Sequence, residues 1–116
     1  MTRNVSELFD LSGKTALVTG GSRGLGLQIA QALGEAGARI TISSRKADAL
    51  EQAAAQLQAS GVDADWIAAN CAIEEETRRL ADQALERMGA IDILVNNAGA
   101  TWGAPAEEHP MAAWDK

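Results

Sequence analysis

The sequence of 116 residues contains no tyrosine, one cysteine and no long run of apolar residues. The lack of tyrosine excludes a tyrosine proton donor within these residues. The single cysteine, Cys71, cannot form an internal disulfide bond and suits a reducing compartment. No stretch approaches the roughly 20 apolar residues of a membrane-spanning helix, and residues 1–10 do not resemble a signal peptide. These absences predict a cytoplasmic protein.

Basic residues are also few, since 10 lysines and arginines face 16 aspartates and glutamates for a net charge of −6. Proteins that bind nucleic acids or anionic membranes usually concentrate basic side chains on one surface. No such concentration is visible in the sequence. We therefore expect no nucleic-acid partner and no membrane partner, and the length allows one domain at most.

Four short apolar runs alternate with three stretches of helical periodicity. The runs are Thr15–Thr19, Arg39–Ser43, Asp65–Ala69 and Ile91–Val95. The helical stretches run from Gly24 to Ala36, onward from Arg45 and onward from Glu74, and each is followed or closed by Gly37, Gly61 or Gly89. Such alternation predicts an α/β fold with a parallel sheet and right-handed crossovers. We expect the first half of a doubly wound sheet, with strand order 3-2-1-4.

Glu74, Glu75 and Glu76 form the densest acidic cluster of the chain. Carboxylates in the first turn of a helix interact favourably with its partial positive charge. We therefore interpret this run as a solvated helix start and not as a metal site.

Thr19-Gly20-Gly21-Ser22-Arg23-Gly24-Leu25-Gly26 joins the first predicted strand to the first predicted helix. A glycine-rich turn at this position lets backbone N–H groups approach a pyrophosphate at the helix N-terminus. We expect Gly20 to turn the chain, Gly24 to admit the phosphates and Gly26 to let the helix pack closely on the strand. Ser22, Arg23 and Leu25 would add contacts to cofactor phosphates and ribose.

This glycine pattern, together with Asn96-Asn97-Ala98-Gly99, resembles the short-chain dehydrogenase/reductase family from about Leu11 to Lys116. The resemblance implies a Rossmann-type NAD(P)-binding domain over residues 1–116, cut off before the family's catalytic half. It also implies that Asn97, Ala98 and Gly99 border the adenosine ribose, whereas we interpret Asn96 as a structural strand-end residue.

The end of the second predicted strand indicates which dinucleotide is bound. NAD-binding proteins usually place a carboxylate there to hold the ribose 2′-OH, but no carboxylate occurs from Ala36 to Ala47. Arg45 could instead pair with a 2′-phosphate and Ser44 could donate to it. With Arg23, these residues resemble NADP-preferring members of the family, although Arg45 could also simply solvate a loop.

The segment after the third predicted strand is expected to meet the adenine ring. The family often has an aspartate there that accepts a hydrogen bond from the adenine amine, and Asn70 could accept through its carbonyl oxygen. Cys71 follows, and its backbone would face the ring. We interpret Cys71 as a small buried apolar residue and not as a nucleophile.

The resemblance implies an oxidoreductase that moves a hydride between NADP(H) and a carbonyl or secondary alcohol, and a homo-oligomeric full-length protein. The segment Thr101-Trp102-Gly103 is similar to the corresponding segment of members such as 3-oxoacyl-(acyl-carrier-protein) reductases and gluconate 5-dehydrogenases.

The family's Tyr-x-x-x-Lys pair is absent, so we assign no catalytic residue and expect no turnover by residues 1–116 alone. A nucleotide-binding fragment without activity is one alternative. An S-adenosylmethionine-dependent methyltransferase is a remote one, disfavoured by Ser44-Arg45.

Overall fold

The computed structural model describes residues 10–97, in which strands and helices alternate along the chain. The elements are β1 (Thr15–Thr19), α1 (Gly24–Glu35), β2 (Arg39–Ser44), α2 (Ala47–Ala59), β3 (Ala64–Ala68), α3 (Glu74–Met88) and β4 (Ile93–Asn96). The strands form one sheet in the order β3-β2-β1-β4, and every neighbouring pair is parallel. The predicted fold class, strand alternation and strand order are confirmed.

The strand bounds differ from the predicted ones mainly in β3 and β4. β3 begins at Ala64, one residue earlier than the apolar run suggested, and β4 begins at Ile93 instead of Ile91. Pairing between β1 and β4 starts where Ala16 faces Ile93. Ile91 precedes this pairing and packs instead against the core beneath α3. Apolar character therefore extended beyond the hydrogen-bonded strand.

Helices cover both faces of the sheet, which explains why all five residues of β1 are buried. Successive side chains of a strand point to opposite faces. Ala16 and Val18 accordingly belong to a core with buried residues of α1 and α2, including Leu50 and Leu57. Leu17 lies on the other face, in a smaller core with Leu80 of α3. The result is a three-layer arrangement, as expected for the predicted first half of a doubly wound sheet.

The predicted helix ends are also borne out. The glycines that follow α1, α2 and α3 all have positive φ, at 110° for Gly37, 89° for Gly61 and 81° for Gly89. α3 begins at Glu74, so the three consecutive glutamates occupy its first turn as expected. Within residues 10–97, every helix is too short or too polar to cross a bilayer.

Candidate functional site

The carboxyl ends of the four parallel strands meet at one edge of the sheet, and the predicted site residues follow them. Two backbone hydrogen bonds join neighbouring segments there: Gly21 N–H donates to Ser43 O at 3.2 Å, and Ala69 N–H donates to Ser44 O at 2.9 Å. The glycine turn, Ser44-Arg45, Asn70-Cys71 and Asn97 are thereby brought to the same edge. Ala98 and Gly99 lie outside the described residues.

At Gly26, α1 packs directly against Gly20, the residue that follows β1. A Cβ atom at this position would overlap the carbonyl oxygen of Gly20 and would lie 2.7 Å from Nδ2 of Asn97. Only glycine therefore permits this contact without a shift of the backbone. The predicted role of Gly26 in close helix–strand packing agrees with this geometry.

Gly24 serves a different purpose at the first position of α1. Its φ is +59°, a conformation that side chains other than glycine rarely adopt, and a Cβ atom there would meet nothing within 4 Å among the described residues. The preceding residue, Arg23, is the N-cap of α1 and makes no side-chain capping hydrogen bond. Backbone N–H groups of a helix start that no side chain caps are suited to an anion. An anion could therefore bind at this turn.

Thr19, the last residue of β1, organises the adjoining end of β4. Its hydroxyl oxygen accepts a hydrogen bond from Asn97 N–H at 3.0 Å. The same hydroxyl lies 3.2 Å from Val95 O and 3.2 Å from Asn96 Oδ1, and its single proton serves one acceptor at a time. The contact between the Thr19 hydroxyl and Asn96 Oδ1 agrees with the structural role that the sequence suggested for Asn96. It also places Asn97 beside the glycine turn.

Arg45 and Arg23 are exposed at this edge, and neither side chain forms an ion pair or hydrogen bond with another residue in the range 10–97. The other strand-end candidate, Ser44, is half-buried, and its hydroxyl accepts a weak hydrogen bond from Lys46 N–H at 3.4 Å. Guanidinium groups without a protein counter-ion are suited to bind phosphate. Arg23 and Arg45 therefore offer two positively charged groups at this end of the sheet.

The turn after β3 is closed by its own hydrogen bonds. Asn70 Oδ1 accepts from Ala72 N–H at 3.0 Å, and Asn70 O accepts from Ile73 N–H at 3.0 Å. Because a carbonyl oxygen has two lone pairs, Asn70 Oδ1 keeps one for a ligand amine. The sequence prediction for Asn70 is thus compatible with this geometry.

Cys71 is half-buried, which is less than the sequence suggested, and it packs against the core beneath α3. Burial raises the pKa of its thiol, and this effect exceeds the opposing effect of a hydrogen bond with Thr77. A raised pKa keeps the sulfur protonated and unreactive near neutral pH. This agrees with the interpretation that Cys71 is not a nucleophile.

Sequence reasoning missed three residues that shape this edge. Thr19 belongs to the predicted glycine motif, but the motif assigns no contact to its hydroxyl group. Gly21 was passed over, although a Cβ atom there would lie 2.8 Å from Ile42 on β2. Glu76 was interpreted as part of a solvated helix start, yet its carboxylate accepts a hydrogen bond from Asn70 N–H at 3.3 Å. Only the spacing of Glu76 and Arg79, three residues apart on one helix, signalled a side-chain pair.

Comparison with known proteins gives this geometry a family context. A family model described as short chain dehydrogenase matches residues 14–116. The rhamnolipid-biosynthesis 3-oxoacyl-(acyl-carrier-protein) reductase of Pseudomonas aeruginosa is 50% identical over 108 residues, which are 93% of this chain and 42% of that protein. Gluconate 5-dehydrogenase of Gluconobacter oxydans is 43% identical over 114 residues, which are 94% of this chain and 43% of that protein. The chain thus spans about two fifths of the length of these relatives.

Solved structures agree. The Pseudomonas aeruginosa RhlG/NADP active-site complex is 50% identical with a TM-score of 0.76, and the match covers 91% of this chain and 41% of that one. A metagenomic short-chain oxidoreductase in complex with NADP is 37% identical with a TM-score of 0.75, and the match covers 91% of this chain and 48% of that one. The resemblance inferred from the two sequence motifs is confirmed, including its similarity to 3-oxoacyl reductases and gluconate 5-dehydrogenases.

Proposed function

The chain belongs to the short chain dehydrogenase family, and from that premise we propose that it forms the NADP(H)-binding part of an oxidoreductase. The reaction we propose for the whole protein is hydride transfer between NADP(H) and a carbonyl or secondary-alcohol substrate. The glycine turn at the edge of a parallel sheet supports the assignment of a dinucleotide cofactor, because phosphate groups bind at such helix starts. Two structural relatives are complexes with NADP, which supports the choice of cofactor.

The choice of NADP over NAD rests on the charges at the end of β2. Arg45 is exposed without a counter-ion in residues 10–97, and no carboxylate occurs between Ala36 and Ala47 to hold a ribose 2′-OH. A 2′-phosphate would supply the missing negative charge. We assign its recognition to Arg45 and Ser44, with Arg23 contributing from the glycine turn.

In this proposal the chain binds and orients the cofactor. NADPH, when bound, supplies the hydride that reduces a carbonyl carbon. The N–H groups at the start of α1 hold the pyrophosphate, and Gly24 leaves room for it. Asn97, held by Thr19, borders the adenosine ribose, with Ala98 and Gly99 beside it in the sequence. Asn70 and Cys71 meet the adenine.

Proton transfer is assigned to residues other than these. The 116 residues contain no tyrosine, so we propose that the family's tyrosine proton donor lies in a catalytic half that they do not include. The names of the two curated relatives support an oxoacyl thioester or a sugar acid as the substrate. We further propose a cytoplasmic, homo-oligomeric enzyme, as the family resemblance implies.

Titration of the purified protein with NADP, NAD and ADP-ribose tests the proposal. We expect NADP to bind most tightly, because only NADP carries a 2′-phosphate for Arg45. A Gly24→Asp variant, which places a carboxylate where the phosphates would lie, should lose binding of all three ligands. Equal affinity for NADP and NAD would contradict the cofactor assignment, and binding that survives in Gly24→Asp would contradict the site.

A second measurement tests whether residues 1–116 bind the cofactor without supplying the proton donor. Residues 1–116 should not change the absorbance of NADPH in the presence of a panel of ketones, because they lack the tyrosine donor. Turnover above that of Gly24→Asp would place a proton donor within these residues.

A further inference from the structure

The turn from Asn70 to Ile73 is held from outside by side chains of α3. Thr77 donates its hydroxyl proton to Cys71 O or Ile73 O, each at 3.2 Å. Glu76 Oε1 accepts a hydrogen bond from Asn70 N–H at 3.3 Å. The first two turns of α3 therefore grip the segment that we assign to the adenine ring.

Glu76 departs from the usual behaviour of a glutamate at the third position of a helix. Such a residue commonly reaches back to the backbone N–H of the N-cap residue, which in α3 is Ile73. Glu76 instead passes the N-cap and accepts from Asn70, six residues earlier. Its carboxylate thus stabilises the adenine-side turn and not merely the helix terminus.

Arg79 holds that carboxylate in place and ties it to the sheet. Its guanidinium group donates to both carboxylate oxygens of Glu76, at 3.1 and 3.4 Å. It also donates to Ala68 O, the last carbonyl of β3, at 2.8 Å. A continuous path of hydrogen bonds therefore runs from the end of β3 through Arg79 and Glu76 to Asn70.

The neighbouring ion pair shows that this arrangement is not a general property of the helix surface. Glu74 and Arg78 are 3.0 Å apart, and their side chains are 56% and 61% exposed. Glu76 and Arg79 are 36% and 40% exposed. Partial withdrawal from water strengthens a charge-assisted hydrogen bond.

We propose that Glu76 and Arg79 are positioning residues for adenine recognition, because together they fix the backbone of Asn70 relative to the end of β3. The inference rests on the proposed NADP(H) function. With its backbone fixed, Asn70 presents the remaining lone pair of Oδ1 to the 6-amino group of adenine. Neither Glu76 nor Arg79 needs to touch the cofactor.

The experiment compares NADP with nicotinamide hypoxanthine dinucleotide phosphate, in which an oxygen replaces the 6-amino group. Dissociation constants for both ligands are measured by calorimetry on the wild type, Glu76→Ala, Glu76→Gln and Glu75→Ala. Glu75→Ala is the matched control, since it removes a carboxylate from the same helix turn at an exposed position. Thermal unfolding of each variant separates loss of stability from loss of recognition.

We expect the wild type to prefer NADP by about tenfold, the worth of one hydrogen bond. Glu76→Ala should abolish this preference, so that the two dissociation constants become about equal. Glu76→Gln, which keeps an acceptor for Asn70 N–H, should retain most of the preference, and Glu75→Ala should retain all of it. A merely structural role of Glu76 would lower the unfolding temperature without changing the ratio of the two constants.

Two results would overturn the inference without touching the proposed function. One is a Glu76→Ala variant that keeps the full preference for NADP. The other is a wild type that binds both dinucleotides tightly and equally, which would remove Asn70 from adenine recognition. A wild type that binds neither dinucleotide would overturn the proposed function as well.

Discussion

Thr15 and Asp92, 77 positions apart in the sequence, are joined by reciprocal hydrogen bonds where β1 begins. Thr15 N–H donates to Asp92 Oδ2 at 2.9 Å, and Asp92 N–H donates to Thr15 O at 3.0 Å. The Thr15 hydroxyl also lies 3.2 Å from the same carboxylate oxygen. This pair sets β4 beside β1 in the register that carries Asn97 to the glycine turn.

The first prediction concerns the carboxylate of Asp92. Its hydrogen bond from Thr15 N–H holds the pKa below the usual aspartate value. A carboxylate with a depressed folded-state pKa stabilises the fold fully above its unfolded-state pKa, near 4, and this contribution is lost as pH falls through the folded-state value. We expect Asp92→Ala to lower the unfolding temperature at neutral pH.

The unfolding temperature, followed by circular dichroism from pH 7 downward, checks this expectation. The gap between wild type and Asp92→Ala should close in the acid range below about pH 4. Asp82→Ala, at an exposed position on α3, is the control and should show no such gap. A gap that is independent of pH would show that the carboxylate charge does not matter.

The second prediction separates two glycines of the same turn. Gly26→Ala should reduce the free energy of unfolding by about 1–3 kcal/mol or more, because its Cβ atom would overlap the carbonyl oxygen of Gly20. Gly24→Ala should cost only about 1–2 kcal/mol, the cost of a left-handed backbone at an open position. Urea denaturation measures both values. A smaller loss for Gly26→Ala than for Gly24→Ala would contradict the packing described for α1 and β1.

The third prediction concerns Arg45 and the cofactor. Arg45→Asp replaces a cation by an anion at the proposed 2′-phosphate position, and a hydrogen bond to a charged group is worth about 1.5–3 kcal/mol. Binding of NADP should therefore weaken at least about tenfold relative to NAD. Lys46→Asp introduces the same charge change at the next exposed position and serves as the control. An identical shift in both variants would indicate a general charge effect instead of a contact by Arg45.

The fourth prediction compares the hydroxyl groups of two residues that are paired between β1 and β2. Thr19 and Ser43 are paired in the sheet. Ser43 Oγ is fully buried and makes no hydrogen bond with any residue of the range 10–97, whereas Thr19 makes several. Ser43→Ala should raise the free energy of unfolding by about 1 kcal/mol, and Thr19→Val should lower it by about 1–3 kcal/mol. Equilibrium denaturation measures the free energy of unfolding of both variants. A destabilised Ser43→Ala variant would contradict the prediction, because it would reveal a hydrogen-bond partner for that hydroxyl.

Much of the fold was predictable because the relevant signals are local. Apolar runs alternate with helical periodicity over windows of a few residues, and a chain that alternates in this way has few topologies open to it. The glycine turn was equally predictable, since its spacing indicates the backbone conformation at Gly24 and the close packing of α1 at Gly26.

The strand bounds were less predictable, because apolar character and strand pairing are different properties. Ile91 is as apolar as Ile93, but only Ile93 faces Ala16 across the sheet. Pairing depends on register between segments far apart in the sequence, which the periodicity of a single segment does not report.

By itself, the sequence determined the alternation of elements, the parallel sheet and the glycine turn, because each depends on neighbouring residues. Only the tertiary structure decided which side chains meet backbone groups of other elements. Thr15 contacts Asp92, Thr19 contacts Asn97 and Glu76 contacts Asn70 because strand register and helix docking bring these groups within hydrogen-bond distance. Their partners lie 77, 78 and 6 positions away, at separations that no local periodicity encodes.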